Sequence, residues 1–170
     1  MTIEIKDRFF DVEAVTEAIK NEPQSTAIYI GSDSKQFKKG DTRFVVYVTT
    51  VILHKNQTQG CQIFKQYIVE RDYGSLRQRL LKEVEFGIGI GYALADVIGT
   101  RPFEIHLDLN PNPEHKSSVC IKEANGYVLG MLGFKPKVKP EAFAASSVSD
   151  RWAVKEAKKL KKKKYTYTNS

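Results

Sequence analysis

The spacing of hydrophobic residues first follows a helix and then a series of strands. Val12, Val15 and Ile19 recur at helical spacing, and Pro23 ends this pattern. Three runs rich in β-branched residues follow, at residues 26–32, 44–54 and 61–69. The first two are separated by a polar turn at residues 36–41. Consecutive strands joined by short turns predict an antiparallel meander of three strands.

A helical period returns after the third run. Ser75 is a suitable N-cap, and Gln78, three residues later, completes a capping box. Apolar residues then recur every four positions, at Leu76, Leu80, Val84 and Ile88. This spacing predicts a helix that faces a core and continues to about Val97. One face of it carries a stripe of small residues, Gly87, Gly91 and Ala95. Such a stripe favours close approach of the helix to a sheet.

The last third of the chain alternates between strands and helices. The predicted elements are a strand at residues 103–109, a helix from Asn112 to Gly130 or Gly133, a short strand at residues 134–138 and a helix from about Ser149. A meander followed by two units, each a strand and then a helix, predicts an α/β fold. Its five-stranded mixed sheet would contain the three-strand antiparallel meander plus two parallel strands, flanked by helices. We expect one domain over residues 1–157, including the short N-terminal helix, and a lysine-rich tail at residues 158–170.

The charge of the chain is concentrated at its C-terminal end. The formal net charge is +7, and residues 151–170, with eight basic residues and Glu156, account for all of it. Such a segment is typical of an electrostatic anchor for a polyanion, most plausibly nucleic acid, although a solvated terminus that aids solubility has the same composition. Tyr165 and Tyr167 follow the lysines and could stack on bases.

The remaining composition points to a cytoplasmic protein. Cys61 and Cys120 form neither a C-x-x-C pair nor a zinc-binding spacing, as expected of reduced structural cysteines. Residues 1–7 lack the apolar core of a signal peptide. The longest apolar run, residues 44–53, is too short to span a bilayer. We therefore expect no membrane segment; the sequence does not determine the oligomeric state.

Four carboxylates stand at chemically informative positions. Asp33 and Asp108 lie where two predicted strands end, Glu83 lies inside the long predicted helix, and Asp150 opens the last helix. Ligands of open α/β sheets collect at the carboxyl ends of strands. Facing carboxylates repel each other, so a divalent cation between them is favourable. The four residues are therefore candidate metal ligands and catalytic residues.

Each of these residues also has a purely structural interpretation. Asp33 and Asp108 could serve as turn formers. Glu83 could face solvent, and Glu85 is a rival for its role. Asp150 could stabilise a helix N-terminus through the dipole. His106 alternates with Asp108 and so shares its face, where an ordinary hydrogen-bonded strand histidine is the simpler interpretation.

Several segments together resemble the YkuK-like group of the ribonuclease H-like superfamily. They are residues 30–34, residues 75–78 with Glu83, residues 106–108, and residues 137–140 with residues 145–151. The resemblance covers about residues 8–155. It implies a ribonuclease H-like fold with a five-stranded mixed sheet and an acidic metal site. By position, Asp33 matches the first-strand aspartate, Glu83 the first-helix glutamate, Asp108 the fourth-strand aspartate and Asp150 the last-helix acidic residue.

These expectations combine into one functional hypothesis and two alternatives. The first is a nuclease that uses Mg²⁺ or Mn²⁺, held by the four carboxylates, to hydrolyse phosphodiester bonds in DNA or RNA. The second is a non-catalytic module that binds nucleic acid and keeps the fold. The third is a protein-interaction scaffold with a vestigial acidic cluster. The sequence leaves open whether the substrate is DNA, RNA or a hybrid, and whether cleavage is internal or terminal.

Overall fold

The computed structural model describes residues 3–4, 7–162 and 165–166. The strands are β1 (Ile3–Glu4), β2 (Ala27–Lys39), β3 (Thr42–His54), β4 (Cys61–Arg71), β5 (Phe103–Leu107) and β6 (Tyr165–Thr166). The helices are α1 (Val12–Lys20), α2 (Leu76–Ile98), α3 (Ile121–Leu132) and α4 (Asp150–Lys162), with 3₁₀ turns at Lys55–Gln57 and Lys116–Cys120 and a π-helical turn at Ala144–Ser149.

A four-stranded mixed sheet organises the fold. Its order is β4-β3-β2-β5, with β2, β3 and β4 antiparallel and β5 parallel to β2. The predicted three-strand meander is thereby confirmed. Separately, β1 and β6 form a short parallel pair. No helix in the described part of the chain combines the length and apolar character needed to cross a bilayer.

The predicted fifth strand of the sheet is wrong. Residues 134–138 contribute only an isolated bridge between Lys137 and His106. In that bridge the amide of Leu107 donates to Lys137 O at 2.9 Å, and the amide of Lys137 donates to Ile105 O at 2.8 Å. β5 ends at Leu107, and the next backbone hydrogen bond of this segment, from the amide of Lys139 to Leu109 O at 3.0 Å, lies beyond that end. The sheet therefore has four strands, and this segment only borders β5.

The hairpin of β2 and β3 is longer than the sequence predicts. The strands pair without interruption from Ala27 opposite His54 to Lys39 opposite Thr42, so residues 36–39 belong to a strand and the turn is confined to Gly40 and Asp41. The polar residues in this stretch are more typical of a turn, so the sequence pattern does not predict the strand there. Phe37 and Phe44 stabilise it as a stacked cross-strand pair with ring centroids 5.5 Å apart. Asp33 consequently lies inside β2 and not at its end.

The sheet separates two hydrophobic cores. On one face, α1, α2 and α3 pack against Ile28, Ile30, Val51 and Leu53. On the other face, α4 packs its buried residues Ala153, Ala157 and Leu160 against Phe37, Phe44, Val46 and Val48. Paired residues of β2 and β3 share a face, and faces alternate along each strand. Even-numbered residues of β2 therefore face α2, and odd-numbered residues face α4.

Capping side chains mark where α1 and α2 begin. Asp11 caps α1 by accepting the amide of Ala14 at 3.1 Å, and Ser75 caps α2 by accepting the amide of Gln78 at 3.3 Å. Both helices begin where the sequence predicts. By contrast, Asn112 accepts the amide of Glu114 in a turn, and the following helix α3 starts only at Ile121.

The small-residue stripe on α2 brings this helix close to the sheet. A Cβ atom added at Gly91 would lie 3.2 Å from side-chain atoms of Ile105, Phe103 and Leu132, whereas one added at Gly89 would have open space. The predicted close approach is therefore confirmed at Gly91, and it fixes the depth of α2 against β5.

The last helix contains part of the predicted tail. The chain turns through the π-helical segment Ala144–Ser149 and enters α4 at Asp150, and α4 continues to Lys162. Residues 158–162 are therefore helical. Lys163, Lys164 and Tyr167 lie outside the described residues.

Candidate active site

Asp33 and Asp108 are adjacent across the parallel strand pair. The register of β2 and β5 places Gly31 opposite His106 and Ser32 opposite Leu107, where β5 ends. Asp33 and Asp108 are the next residues along each chain. Both lie on the face of the sheet that packs against α4, as the ring contact between Tyr29 and His106 on that face also shows.

Glu83 approaches the same place from the opposite face. It lies on the sheet-facing side of α2, is only 4% exposed, and accepts a hydrogen bond from Ser34 Oγ at 2.5 Å. Glu85, two residues further along the helix, is exposed. The structure therefore places Glu83, and not Glu85, beside Asp33.

Asp150 completes the group from the first position of α4. The residue before it, Ser149, is fully buried and donates to Gly31 O at 3.0 Å. This bond fixes the start of α4 to β2 close to Asp33. The side chain of Asp150 is partly buried and lies close enough to Asp33 to help raise its pKa.

Burial and the proximity of other carboxylates raise the pKa of Asp33 and of Glu83. Burial, followed by the charge of Asp108, raises the pKa of Asp33 to about 7; Asp150 adds to this rise, and the backbone N–H of Ser34 opposes it. Burial, followed by the charge of Asp33, raises the pKa of Glu83 well above its usual value, with Asp108 adding to the effect. The hydroxyl of Ser34 and the charge of Arg79 oppose it. The negative charge of neighbouring carboxylates thus contributes to the raised pKa of both Asp33 and Glu83.

One carboxylate oxygen lacks a hydrogen bond. Asp108 Oδ1 is buried and accepts no hydrogen bond of acceptable geometry, although the Nζ atom of Lys139 lies 2.7 Å away as an ion-pair partner. Buried carboxylate oxygens are ordinarily satisfied by donors or by cations. At this atom a bound cation would therefore have to compete with the ammonium of Lys139.

The donor set fits a hard divalent cation in its chemistry. Carboxylate oxygens are the ligands that Mg²⁺ and Mn²⁺ prefer, and a cation would offset the repulsion that raises the pKa of Asp33. Within the described residues, however, no group of three or more His, Cys, Asp or Glu side chains has the arrangement of a preformed metal cage. A cation at this site would require the side chains to turn toward it.

Two further residues of the site were not assigned a role from the sequence. Ser34 holds Glu83, and Lys139 pairs with Asp108. Lys139 lies beside Asp108 because its amide donates to Leu109 O at 3.0 Å. This bond aligns the segment of Lys139 with the end of β5. The sequence contained one usable signal, since Ser34 directly follows Asp33. Nothing local to Lys139 distinguishes it from a solvated lysine.

His106 has a structural role. It is fully buried, its Nδ1 accepts the amide of Ala144 at 3.1 Å, and its Nε2 lies 2.8 Å from Glu104 Oε2. Because Nδ1 accepts a backbone hydrogen bond, the ring proton is assigned to Nε2, which donates to Glu104. Burial lowers the pKa of His106. The histidine thus anchors the start of the π-helical turn that leads to α4.

Comparison with known proteins agrees with this arrangement. A model of ribonuclease H-like proteins matches residues 11–154. An uncharacterised protein of Bacillus subtilis (strain 168), YkuK, is 25% identical, and the match covers 85% of this chain and 90% of that protein. No solved structure matches the chain significantly. The resemblance to the YkuK-like group is thereby confirmed, and the match indicates a function related to nucleic acids. The chain belongs to the ribonuclease H-like family.

Proposed function

We propose that this protein is a metal-dependent nuclease that hydrolyses phosphodiester bonds of DNA or RNA. The observation that supports it best is the convergence of four acidic side chains from β2, α2, the end of β5 and α4 on one place, each interacting with at least one of the others. A fold gains no stability from bringing buried carboxylates together, because each raises the cost of ionising its neighbour. Functional sites are where such arrangements recur.

In this proposal Asp33, Glu83, Asp108 and Asp150 hold Mg²⁺ or Mn²⁺. When bound, such ions stabilise developing charge on phosphate oxygens and lower the pKa of a coordinated water. The protein contributes the positions of its own groups. The hydroxyl of Ser34 fixes the Glu83 carboxylate, and Ser149 fixes the start of α4. Lys139 places a positive charge at the edge of the site, where it can neutralise Asp108 or a substrate phosphate.

One observation favours a second candidate, a non-catalytic module that binds nucleic acid. The ammonium of Lys139 is already paired with Asp108, and the described residues contain no preformed metal cage. A site in which a lysine replaces the cation would keep the fold without turnover.

A cleavage assay separates the two candidates. Labelled single-stranded DNA, duplex DNA, RNA and an RNA–DNA hybrid would each be incubated with Mg²⁺, Mn²⁺ or EDTA. The nuclease predicts metal-dependent products with 5′-phosphate and 3′-hydroxyl ends, lost in Asp33→Asn and Glu83→Gln. The matched controls are Asp41→Asn, in the turn of the same hairpin, and Glu85→Gln, on the exposed side of α2. Both controls should cleave like the unaltered protein.

The alternative outcomes are equally clear. Unchanged cleavage in Asp33→Asn would exclude these carboxylates as the catalytic centre. Absence of cleavage on all four substrates, with binding intact, would favour the non-catalytic module.

A further inference from the structure

The solvent face of α4 carries a row of positive charge that begins beside the carboxylates. Four basic residues follow the spacing i, i+4, i+7 and i+11, and all four are exposed: Arg151, Lys155, Lys158 and Lys162. At 100° per residue this spacing keeps them within one narrow stripe. The stripe, here called the basic face of α4, lies opposite the buried residues Ala153, Ala157 and Leu160.

The acidic residue within the helix does not neutralise this face. Glu156 lies toward the buried side, where it pairs with Arg8 at 2.8 Å and approaches Lys159 at 3.9 Å. Within the described part of the chain, no carboxylate forms an ion pair with the four residues of the basic face. Unlike a typical solvated helix, α4 therefore lacks compensating Glu–Lys pairs along its exposed stripe.

A lysine from β4 adds to the positive charge. Lys65 Nζ lies 3.4 Å from the centroid of the Trp152 ring, and Lys155 Nζ lies 4.7 Å from the same centroid. Burial, followed by the charges of Lys155 and Arg8, lowers the pKa of Lys65. The indole thus holds two ammonium groups near each other at the first turn of α4, although they repel. An anion bound there would relieve that repulsion.

We propose that the basic face of α4 binds the phosphate backbone of one nucleic-acid strand and directs it to the carboxylates at the start of the helix. The phosphates of a nucleic-acid strand recur at regular intervals, as do the basic side chains on this face of α4. The stripe spans about 17 Å, from eleven residues at ~1.5 Å each, which is long enough to contact several consecutive phosphates of one strand. Only the direction of the strand toward the carboxylates rests on the proposed function. Binding of the strand to the basic face of α4 requires no catalysis.

The buried side of α4 argues against a membrane as the partner. A helix that lies on a bilayer inserts an apolar face while its basic face contacts lipid headgroups. In α4 the apolar residues Ala153, Ala157 and Leu160 are packed against the sheet and are unavailable for insertion. The position of Arg151 directly after Asp150 also fits a partner that the carboxylates act upon.

The test is equilibrium binding of the full-length protein to a labelled single strand of about 20 nucleotides, in EDTA so that no turnover occurs. Lys155→Gln/Lys158→Gln is compared with Lys20→Gln/Lys122→Gln, which removes the same charge from exposed positions on α1 and α3 across the sheet. We expect the α4 pair to weaken binding about tenfold and to lower the salt slope by about 1.5, as for two lost phosphate contacts. The control pair should change neither by more than about twofold.

A second α4 pair, Lys158→Gln/Lys162→Gln, leaves the Trp152 contacts intact and should behave like the first if the face acts as a unit. Equal losses in the α4 and control pairs would overturn the proposal. So would a larger loss in Lys163→Gln/Lys164→Gln than in the α4 pairs, or binding to anionic vesicles without binding to the oligonucleotide. An inactive protein that still shows the selective loss would refute the nuclease but retain this surface.

Discussion

Lys139 and Asp108 form an ion pair whose carboxylate oxygen is buried and whose ammonium is not. The Nζ–Oδ1 distance is 2.7 Å, the side chain of Asp108 is 20% exposed, and that of Lys139 is 41% exposed. The ammonium of Lys139 carries a positive charge at the edge of the acidic site. It occupies a position at Asp108 that a divalent ion could otherwise take. In the proposed metal site, this pair would compete with a divalent ion for Asp108.

Replacing Lys139 by Met should strengthen metal binding. The substitution removes a competing positive charge from Asp108 and leaves the site more negative. Because the ammonium is partly exposed, its pair is worth at most about 1 kcal/mol, so the affinity for Mn²⁺ should rise up to about fivefold. Titration calorimetry with Mn²⁺ measures this directly. Lys137→Met, which removes an exposed pair with Glu141, is the matched control and should leave the affinity unchanged. Weaker Mn²⁺ binding in the Lys139 variant would contradict the competition.

The metal-free protein should lose stability as the pH rises from about 4 to about 7. The pKa of Asp33 is about 7 in the folded protein and close to its usual value when unfolded, so within this window the folded state binds more protons. Each pH unit then costs up to about 1.4 kcal/mol of unfolding free energy. Glu83, whose pKa is also raised, acts in the same direction.

Urea unfolding in EDTA across this pH range checks the prediction. Asp33→Asn should flatten the curve and unfold at a higher urea concentration near pH 7.5, and Mn²⁺ should stabilise the unaltered protein more than the variant. A stability that instead rises steadily with pH in EDTA would show that the carboxylates do not repel one another as inferred.

Replacing Ser34 by Ala should weaken metal binding in acid. The hydroxyl favours ionised Glu83, so its removal raises the pKa of Glu83 further and leaves more of it protonated. A hydrogen bond to a charged group contributes about 1.5 kcal/mol or more, so the Mn²⁺ affinity should fall about tenfold below neutral pH. Ser32→Ala is the control, because that hydroxyl faces the same side but bonds to Thr49. An affinity profile against pH that is identical in the two variants would contradict this role of Ser34.

The stripe on α2 predicts opposite effects for two glycines. Gly89→Ala has open space and should stabilise the protein by about 1 kcal/mol through helix propensity. Gly91→Ala would press a methyl group against Ile105, Phe103 and Leu132 at once and should be destabilising, since overpacking costs about 1–3 kcal/mol. Thermal unfolding of the two variants side by side measures the difference. A Gly91→Ala variant as stable as Gly89→Ala would mean that α2 can move away from β5 freely.

Much of this architecture can be read from local sequence. The cap at Ser75 and the four-residue apolar period predict α2, and the β-branched runs predict β3 and β4, because each signal depends on neighbouring residues. Local signals failed where distant residues decide. The strand character of residues 36–39 depends on Phe37 stacking on Phe44, and the pairing of residues 134–138 is limited by the end of β5 at Leu107.

In the candidate site, too, some residues can be predicted from local sequence and others cannot. Asp33 and Asp108 are recognisable because they lie where two predicted strands end, and their proximity follows from the strand order. Ser34 and Lys139 are not, because their roles depend on which carboxylate each side chain meets in space. A choice between Glu83 and Glu85 likewise requires knowledge of which side of α2 faces β2.

Because the carboxylates belong to both faces of the sheet, the site depends on two cooperative units. Asp150 is held by the smaller core beneath α4, whereas Glu83 is held by the larger core beneath α2. A partial opening that releases either helix disassembles the site while the rest of the sheet stays folded. The population of molecules with a complete site is therefore set by the less stable layer. With the smaller core, this is the layer of α4, and hydrogen exchange of its amides would report that population.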